Sequence, residues 1–163
     1  MTDTKTTTIP TTSLSPDASA GVAQFLSPVV INLQALAIDG KQAHWHVRGA
    51  NFIGVHEFLD VLVDHAQDWA DLAAERIVAL GLPVDARVQT VAAKATTPAL
   101  TDGFSQSDAT IAAVIAQIDA TLELVRTAVD ELDELDLASQ DIAIEIAKGL
   151  DKDRWFLFAH LAS

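Results

Sequence analysis

Two pairs of side chains that commonly bind metal ions recur at helical spacing within residues 41–76. His56 and Asp60 are four residues apart, and so are Asp71 and Glu75. Residues at this spacing project from the same face of a helix, with Cβ atoms about 6 Å apart. Each pair could therefore supply two ligands to one cation.

The two pairs are too far apart to share one ion within a single helix. Asp60 and Asp71 lie on nearly the same side of the helix but roughly 16 Å apart along its axis. Either the helix carries two isolated half-sites, or two copies pack antiparallel so that His56/Asp60 of one face Asp71/Glu75 of the other. We favour the second arrangement, because two-fold contacts are the commonest oligomer interfaces and the pairs lie symmetrically about a midpoint near His65.

The same stripe could instead be a hydrated acidic face. Glu57, Asp64 and Asp68 share its polar surface, and runs of charge are usually solvated. An internal di-iron site is not expected, because the chain contains no Glu-x-x-His motif and helical angles place the stripe opposite Leu62 and Trp69. From spacing alone, an interfacial metal site and a hydrated face both remain open.

The composition of the chain excludes several classes of function. The 163 residues suit one domain, and the formal net charge of -13 argues against general affinity for nucleic acid or anionic membrane. The chain has no cysteine, which excludes disulfides, thiolate metal sites and thiol catalysis. It shows no secretory signal pattern and no uninterrupted apolar run of about 20 residues, so a cytoplasmic protein is expected.

Apolar periodicity predicts an all-α fold. Residues 1–16 are rich in Thr, Ser and Pro and are interpreted as a flexible tail, and residues 17–163 as one bundle. Long helices are predicted from about 18 to 47, 53 to 80, 107 to 135 and 137 to 161. The long link between the second and third suits a crossover and contains a short helix near 86–94. This order describes a ferritin-like four-helix bundle.

Several motifs in the first two helices and the last resemble one family. They are KQAHW at 41–45, RGANF at 48–52, His56-Glu57, Asp60, Asp71, Glu75-Arg76, LDK at 150–152 and WF at 155–156. In these motifs the chain resembles the Dps proteins (DNA-binding proteins from starved cells), the mini-ferritins that assemble as hollow dodecamers. The first 16 residues lie outside the resemblance.

The resemblance implies a ferroxidase centre at a two-fold subunit interface. Its ligands would be His44, His56 and Asp60 of one subunit and Asp71 and Glu75 of its partner. Family members oxidise Fe(II), preferably with hydrogen peroxide, store ferric mineral in the cage, and so protect the cell from oxidative damage. Trp45 resembles the family's tryptophan that donates an electron beside the site, although a packed indole is an equally good interpretation.

Three acidic residues near the start of the last helix resemble those lining the family's three-fold pores, through which iron enters: Asp136, Asp141 and Glu145. A ring of carboxylates would concentrate Fe(II) by Coulomb attraction. The alternative is an acidic helix N-terminus favoured by the helix dipole. His46, His65 and His160 have no clear partners and are interpreted as ordinary histidines.

Two other functions are alternatives to a mini-ferritin. A nucleoid-binding protein would need a basic surface, whereas the N-terminal tail contains only Lys5, so direct DNA binding is not expected. A metal-dependent hydrolase could use the same site, because Zn(II) or Fe(II) lowers the pKa of a bound water. Nothing in the sequence specifies a substrate for such a hydrolase.

Overall fold

The computed structural model describes residues 12–161, which form four long helices, one short helix and one small sheet. The elements in order are α1 (Pro16–His46), β1 (Val47–Arg48), α2 (Phe52–Ala79), α3 (Val88–Lys94), β2 (Ser105–Gln106), α4 (Ser107–Leu132) and α5 (Leu137–Ala159). α1 packs along α2, α4 packs along α5, and the two hairpins meet mainly through α1 and α4. The predicted four-helix bundle with a short helix in the crossover is confirmed.

The first helix begins where the sequence predicts. Ser15 accepts a hydrogen bond from the backbone N–H of Ala18, and Pro16 occupies the first turn, where its missing N–H costs nothing. Of the predicted flexible tail, residues 1–11 lie outside the described part of the chain. Its mobility therefore stays a prediction.

α1 is also long and apolar enough to cross a membrane by length and composition alone. Its most apolar 18-residue window has a mean hydropathy of 1.5, but 56% of that window is buried inside the bundle. Core helices of globular proteins can be equally long and apolar, so the burial of α1 against α2 and α4 accounts for its apolar character.

The core consists of aliphatic side chains from all four long helices. The largest fully buried ones are Leu26, Leu33, Leu36, Leu59, Leu62, Ile77, Ile111, Ile118, Leu122, Leu132, Ile146 and Leu150. Most residues of the predicted apolar faces are buried, but Phe25, Trp69 and Val129 are only partly buried and pack against the edge of the core. Several buried residues of α1 and α2 are alanines, whose small side chains permit close packing of helices.

Two helix ends differ from the prediction. α4 ends at Leu132 rather than near 135, because residues 133–135 form a turn. The backbone N–H groups of Leu135 and Asp136 both donate to the backbone oxygen of Leu132. Asp136 then caps α5 by accepting a hydrogen bond from the backbone N–H of Ser139. α5 ends at Ala159, slightly before the predicted position.

The small sheet was not predicted. β1 and β2 pair in parallel, with Val47 opposite Ser105 and Arg48 opposite Gln106. This pairing ties the chain after α1 to the residue before α4, across the long crossover. A strand of two residues is too short to show an alternating pattern, so the sequence does not predict it.

Gly149 of α5 lies directly against the indole of Trp69 on α2. A Cβ at position 149 would overlap ring carbon Cζ2 and lie 2.6 Å from Cη2 of Trp69. Glycine inside a helix ordinarily costs up to about 1 kcal/mol relative to alanine. Here the close helix approach requires it.

Gly149→Ala is therefore expected to destabilise the protein by about 1–3 kcal/mol, the usual cost of overpacking, instead of stabilising the helix. Urea unfolding measures the difference. Gly103→Ala is the matched control, because a Cβ at position 103 meets no atom within 4 Å. A Gly149→Ala protein as stable as the wild type would contradict the packing of Trp69.

Candidate metal centre

His44 and His56 face each other at the junction of α1 and α2. Nδ1 of His44 lies 2.7 Å from the backbone oxygen of His56, and Nδ1 of His56 lies 2.8 Å from the backbone oxygen of His44. Their rings stack with centroids 3.6 Å apart. Each histidine therefore fixes the orientation of the other.

This reciprocal bonding determines which ring nitrogen can bind a metal. A carbonyl oxygen only accepts hydrogen bonds, so both Nδ1 atoms must carry the proton. In the neutral rings, Nε2 then holds a free lone pair, which is the form of imidazole that ligates metals. Backbone carbonyls commonly orient metal-binding histidines in this way.

Asp60 lies one helical turn beyond His56, beside the same histidine pair. Its Oδ1 is 3.3 Å from Nδ1 of His44 and forms an ion pair with Lys41. The hydrogen bond from Lys41 is the main cause that lowers the pKa of Asp60, with smaller contributions from the charges of the two histidines. Asp60 is therefore held ionised, as a metal ligand must be.

Lys41 is the residue of this centre whose role the ligand spacing did not reveal. It belongs to the KQAHW motif but is not one of the predicted ligands. The structure places its ammonium group on the carboxylate of Asp60. The ammonium group therefore compensates the carboxylate charge, as a bound metal cation would.

Asp71 and Glu75 lie further along α2 and are exposed. Eleven residues of helix separate Asp71 from Asp60, so the acidic pair cannot reach the histidines of its own subunit. Within residues 12–161 of one subunit, no three His, Asp or Glu side chains lie close enough to hold a metal ion. One subunit therefore brings His44, His56 and Asp60 near one another without closing a three-ligand site, and it leaves the acidic pair apart.

Trp45 points away from the bundle and is 62% exposed. Together with Lys41, Ile38, Val63 and Asp64 it lines a shallow groove between α1 and α2. In one subunit the indole is thus outside the core, and the alternative of a packed indole stays a prediction. Its predicted role as an electron donor stays a prediction.

The turn between α1 and α2 holds the two histidines in position. Gly49 has a φ of +100° and Asn51 a φ of +56°, values that favour these two residue types. A Cβ at Gly49 would overlap the side-chain oxygen of Gln106. On the other side of β1, the guanidinium of Arg48 lies 3.1 Å from the ring centroid of Phe104. The small sheet and this cation–π contact fix the end of α1 beside the start of α2.

The three predicted pore residues have different surroundings. Asp136 caps α5 and forms an ion pair with Arg76, whereas Asp141 and Glu145 are exposed. Partial burial raises the pKa of Asp136, but hydrogen bonds from Ser139 and Arg76 outweigh it and lower the pKa overall. Asp136 therefore lies at the N-terminus of α5, where the helix dipole favours an acidic residue, and its place in a pore stays a prediction.

Two of the three remaining histidines have hydrogen-bond partners. His46 bonds to the backbone oxygen of Gln42, and His160 lies near Gly54 at the end of the bundle. Nδ1 of His65 lies 2.8 Å from Oδ2 of the buried carboxylate of Asp153. The prediction that His65 lacks a clear partner is wrong, because the partner is 88 residues away on α5.

Comparison with known proteins agrees with this architecture. A family model described as ferritin-like domain matches residues 26–163. A protein named DNA protection during starvation protein, from Mycolicibacterium smegmatis, is 36% identical over 160 residues, covering 96% of this chain and 84% of that protein.

Solved structures give the same result. A Dps from Microbacterium arborescens in a high iron form is 60% identical, with a TM-score of 0.89 over 91% of this chain and 97% of that chain. A Dps from Mycobacterium smegmatis is 33% identical, with a TM-score of 0.89 and 96% of both chains covered. Fold and sequence together define a ferritin-like protein. Within that class, the chain belongs to the Dps family.

Proposed function

We propose that this protein is a cytoplasmic mini-ferritin that oxidises Fe(II) with hydrogen peroxide at centres shared between two-fold related subunits. It stores the ferric product inside a hollow dodecamer. The observation that carries this proposal is the reciprocal His44–His56 pair with the ionised Asp60 beside it. The relative from Microbacterium arborescens, described in a high iron form, supports iron as the metal.

The ligand set suits Fe(II). Two neutral imidazole nitrogens and carboxylate oxygens match the intermediate softness of Fe(II), and the absence of cysteine from the chain removes the softer alternatives. His44, His56 and Asp60 would come from one subunit, and Asp71 and Glu75 from its partner. A site with few protein ligands leaves positions for water and peroxide.

A two-fold axis explains why the ligands are divided in this way. In an antiparallel contact between two copies of α2 centred near Ala66, the His56/Asp60 end of one helix meets the Asp71/Glu75 end of the other. Each dimer then contains two equivalent centres. The exposed position of Asp71 and Glu75 in one subunit supports this arrangement, because it leaves both carboxylates available to a partner.

The electron balance favours two iron ions for each peroxide. One hydrogen peroxide takes one electron from each of two Fe(II) ions and, with two protons, gives two waters and two Fe(III) ions. A single Fe(II) supplies only one electron and would leave a hydroxyl radical. Trp45, next to His44 in sequence, is a candidate to donate the missing electron in that case.

Measurement of this stoichiometry tests the proposed reaction. Fe(II) is added anaerobically to the purified protein, a limiting amount of peroxide is injected, and ferric absorbance is followed together with a hydroxyl-radical spin trap. We expect about two Fe(II) oxidised per peroxide, with little trapped radical. A ratio near one with abundant radical would contradict the proposal.

The carboxylates of α5 are candidates for the path that iron takes into the cage. Asp141 and Glu145 are exposed and one helical turn apart, so in a ring of three subunits they would concentrate Fe(II) by Coulomb attraction. Asp136 would contribute less to such a ring, since its charge is compensated by Arg76.

Protection of DNA is proposed to follow from removal of iron and peroxide and not from direct binding. A net charge of -13 per subunit repels phosphates, and the N-terminal tail offers only Lys5 as a cation. Retarded migration of duplex DNA at low salt, reversed by added salt, would contradict this view.

Lys41 is expected to weaken metal binding, because its ammonium group must leave Asp60 before a metal ion can use that carboxylate. Lys41→Met keeps the aliphatic stem and removes the charge. Since the pair is about half exposed, we expect only a two- to fivefold tighter binding of Zn(II), measured by isothermal titration calorimetry. Weaker binding in Lys41→Met would show that Lys41 supports the centre instead of competing with the metal.

A further inference from the structure

A second histidine of α2 is coupled to a carboxylate outside the centre described above. Oδ2 of Asp153 on α5 lies 2.8 Å from Nδ1 of His65, and Asp153 is only 1% exposed. Across the described residues 12–161, His65 is the one hydrogen-bond partner of this carboxylate. The pair spans the seam between α2 and α5, which pack less extensively than the other neighbouring long helices.

Burial of a carboxylate costs folding free energy unless a strong partner compensates the charge. Burial raises the pKa of Asp153, and the hydrogen bond and charge of His65 only partly reverse the effect, with Lys152 adding a smaller favourable charge. An apolar residue would fill the same seam without this cost. Stabilisation of the contact between α2 and α5 is therefore, by itself, a poor explanation for an aspartate at position 153.

The hydrogen bond to Asp153 determines which nitrogen of the His65 ring carries the proton. An ionised carboxylate only accepts, so Nδ1 of His65 carries the proton and Nε2 keeps its lone pair in the neutral ring. The side chain of His65 is 41% exposed, and within the described part of the chain nothing bonds to its Nε2. A carboxylate that orients a histidine and raises the basicity of its other nitrogen is a common arrangement in metal sites.

A second possible ligand lies on the same side of α2. Asp68 follows His65 by three residues, a spacing that places both side chains on neighbouring positions of the helix surface. Asp68 is exposed and makes no described ion pair. The indole of Trp69, 5.3 Å from the His65 ring between centroids, covers the other side of the histidine.

We propose that His65 and Asp68 bind a divalent transition-metal ion, with Asp153 as the buried carboxylate that orients His65. The metal would be one that accepts imidazole and carboxylate together, such as Fe(II) or Zn(II), and water would complete its coordination. This site uses none of the ligands of the interfacial centre, so it goes beyond the proposed ferroxidase.

Zn(II) is the probe for the test, because it does not change its oxidation state. Isothermal titration calorimetry is carried out on Asp71→Ala/Glu75→Ala protein, in which the interfacial centre lacks its acidic half. We expect His65→Gln in this background to remove one Zn(II) site per subunit. His160→Gln is the matched control, because it also removes an imidazole from the bundle surface, and we expect the site count to be retained.

Two further substitutions separate metal binding from a structural role. Asp153→Asn keeps an oxygen that accepts the Nδ1–H hydrogen bond but removes the charge, and we expect Zn(II) affinity to fall by about 10–100-fold. Asp68→Asn changes only an exposed side chain, so it does not threaten folding, and we expect affinity to fall at least about tenfold. The proposal requires all three losses. An unchanged site count in His65→Gln, or unchanged affinity in Asp153→Asn or Asp68→Asn, overturns it.

Discussion

The Asp71→Ala/Glu75→Ala protein is expected to oxidise Fe(II) with hydrogen peroxide more than about 100-fold more slowly than the wild type. Removal of groups that merely orient a ligand typically costs 10–100-fold, so the loss of two direct ligands should cost more. The histidine half of the centre remains intact in this variant. It would still bind a metal ion weakly, but could not hold two iron ions for one peroxide.

This loss should occur without unfolding. Both carboxylates are exposed and make no described hydrogen bond or ion pair, so the stability change should stay within about 0.5 kcal/mol. Asp130→Ala/Glu131→Ala on α4 removes the same charge from another exposed helix face and serves as the control. If both double variants oxidised iron at the wild-type rate, the acidic stripe of α2 would be a hydrated surface and not part of a metal centre.

Asp136→Ala is expected to destabilise the protein by about 2–3 kcal/mol. Loss of a helix N-cap costs about 1 kcal/mol, and the partly buried Arg76 left without its carboxylate adds a comparable or larger penalty. Ser139, which is buried and bonds to both residues, loses its partner on one side. Urea unfolding at neutral pH measures the difference.

The effect should depend on pH with a defined sign. The pKa of Asp136 in the folded protein lies below its ordinary value of 3.8, so the ionised carboxylate stabilises the fold. That stabilisation is fully present above the ordinary pKa and is lost as the pH falls below it, through the folded-state value. The wild type and Asp136→Ala should therefore differ by a constant amount from about pH 5 to 8 and converge in stronger acid.

Asp136→Asn separates the cap from the charge. Asparagine caps helices as well as aspartate does, but it cannot form the ion pair with Arg76. We expect it to recover roughly 1 kcal/mol of the loss and to show little dependence on acid. A pH dependence in Asp136→Asn equal to that of the wild type would assign the acid effect to other carboxylates.

The long helices could be predicted because each has a clear apolar period and a recognisable start or end. Ser15-Pro16 begins α1 and Gly81 follows α2, so the chain marks these boundaries locally. The strand pair formed by Val47–Arg48 and Ser105–Gln106 could not be predicted. It is a contact between distant segments, and two residues carry no period.

The candidate site was predictable only in part. The spacing of His56 and Asp60 is visible within one helix, whereas His44 lies on α1 and reaches the site across the turn at Gly49 and Asn51. The resemblance to a known family supplied His44 instead. The partner half, Asp71 and Glu75, depends on a contact between two chains and stays a prediction.

The pair of His65 and Asp153 shows the same limit. Each residue looks ordinary in its own helix, since a histidine beside acidic residues and an aspartate beside Lys152 are common on polar surfaces. Only the antiparallel packing of α2 against α5 brings them within hydrogen-bonding distance. A pattern within one helix could not have identified Asp153 as a buried carboxylate.

Complementation between two inactive proteins tests the shared ferroxidase centre most directly. His56→Gln/Asp60→Asn removes one half of each centre, and Asp71→Ala/Glu75→Ala removes the other. In a mixed dimer, one of its two centres receives intact ligands from both subunits, so equal co-expression with random pairing should restore roughly a quarter of wild-type peroxide-dependent Fe(II) oxidation. Activity no higher than that of either parent would contradict a centre built across the two-fold axis.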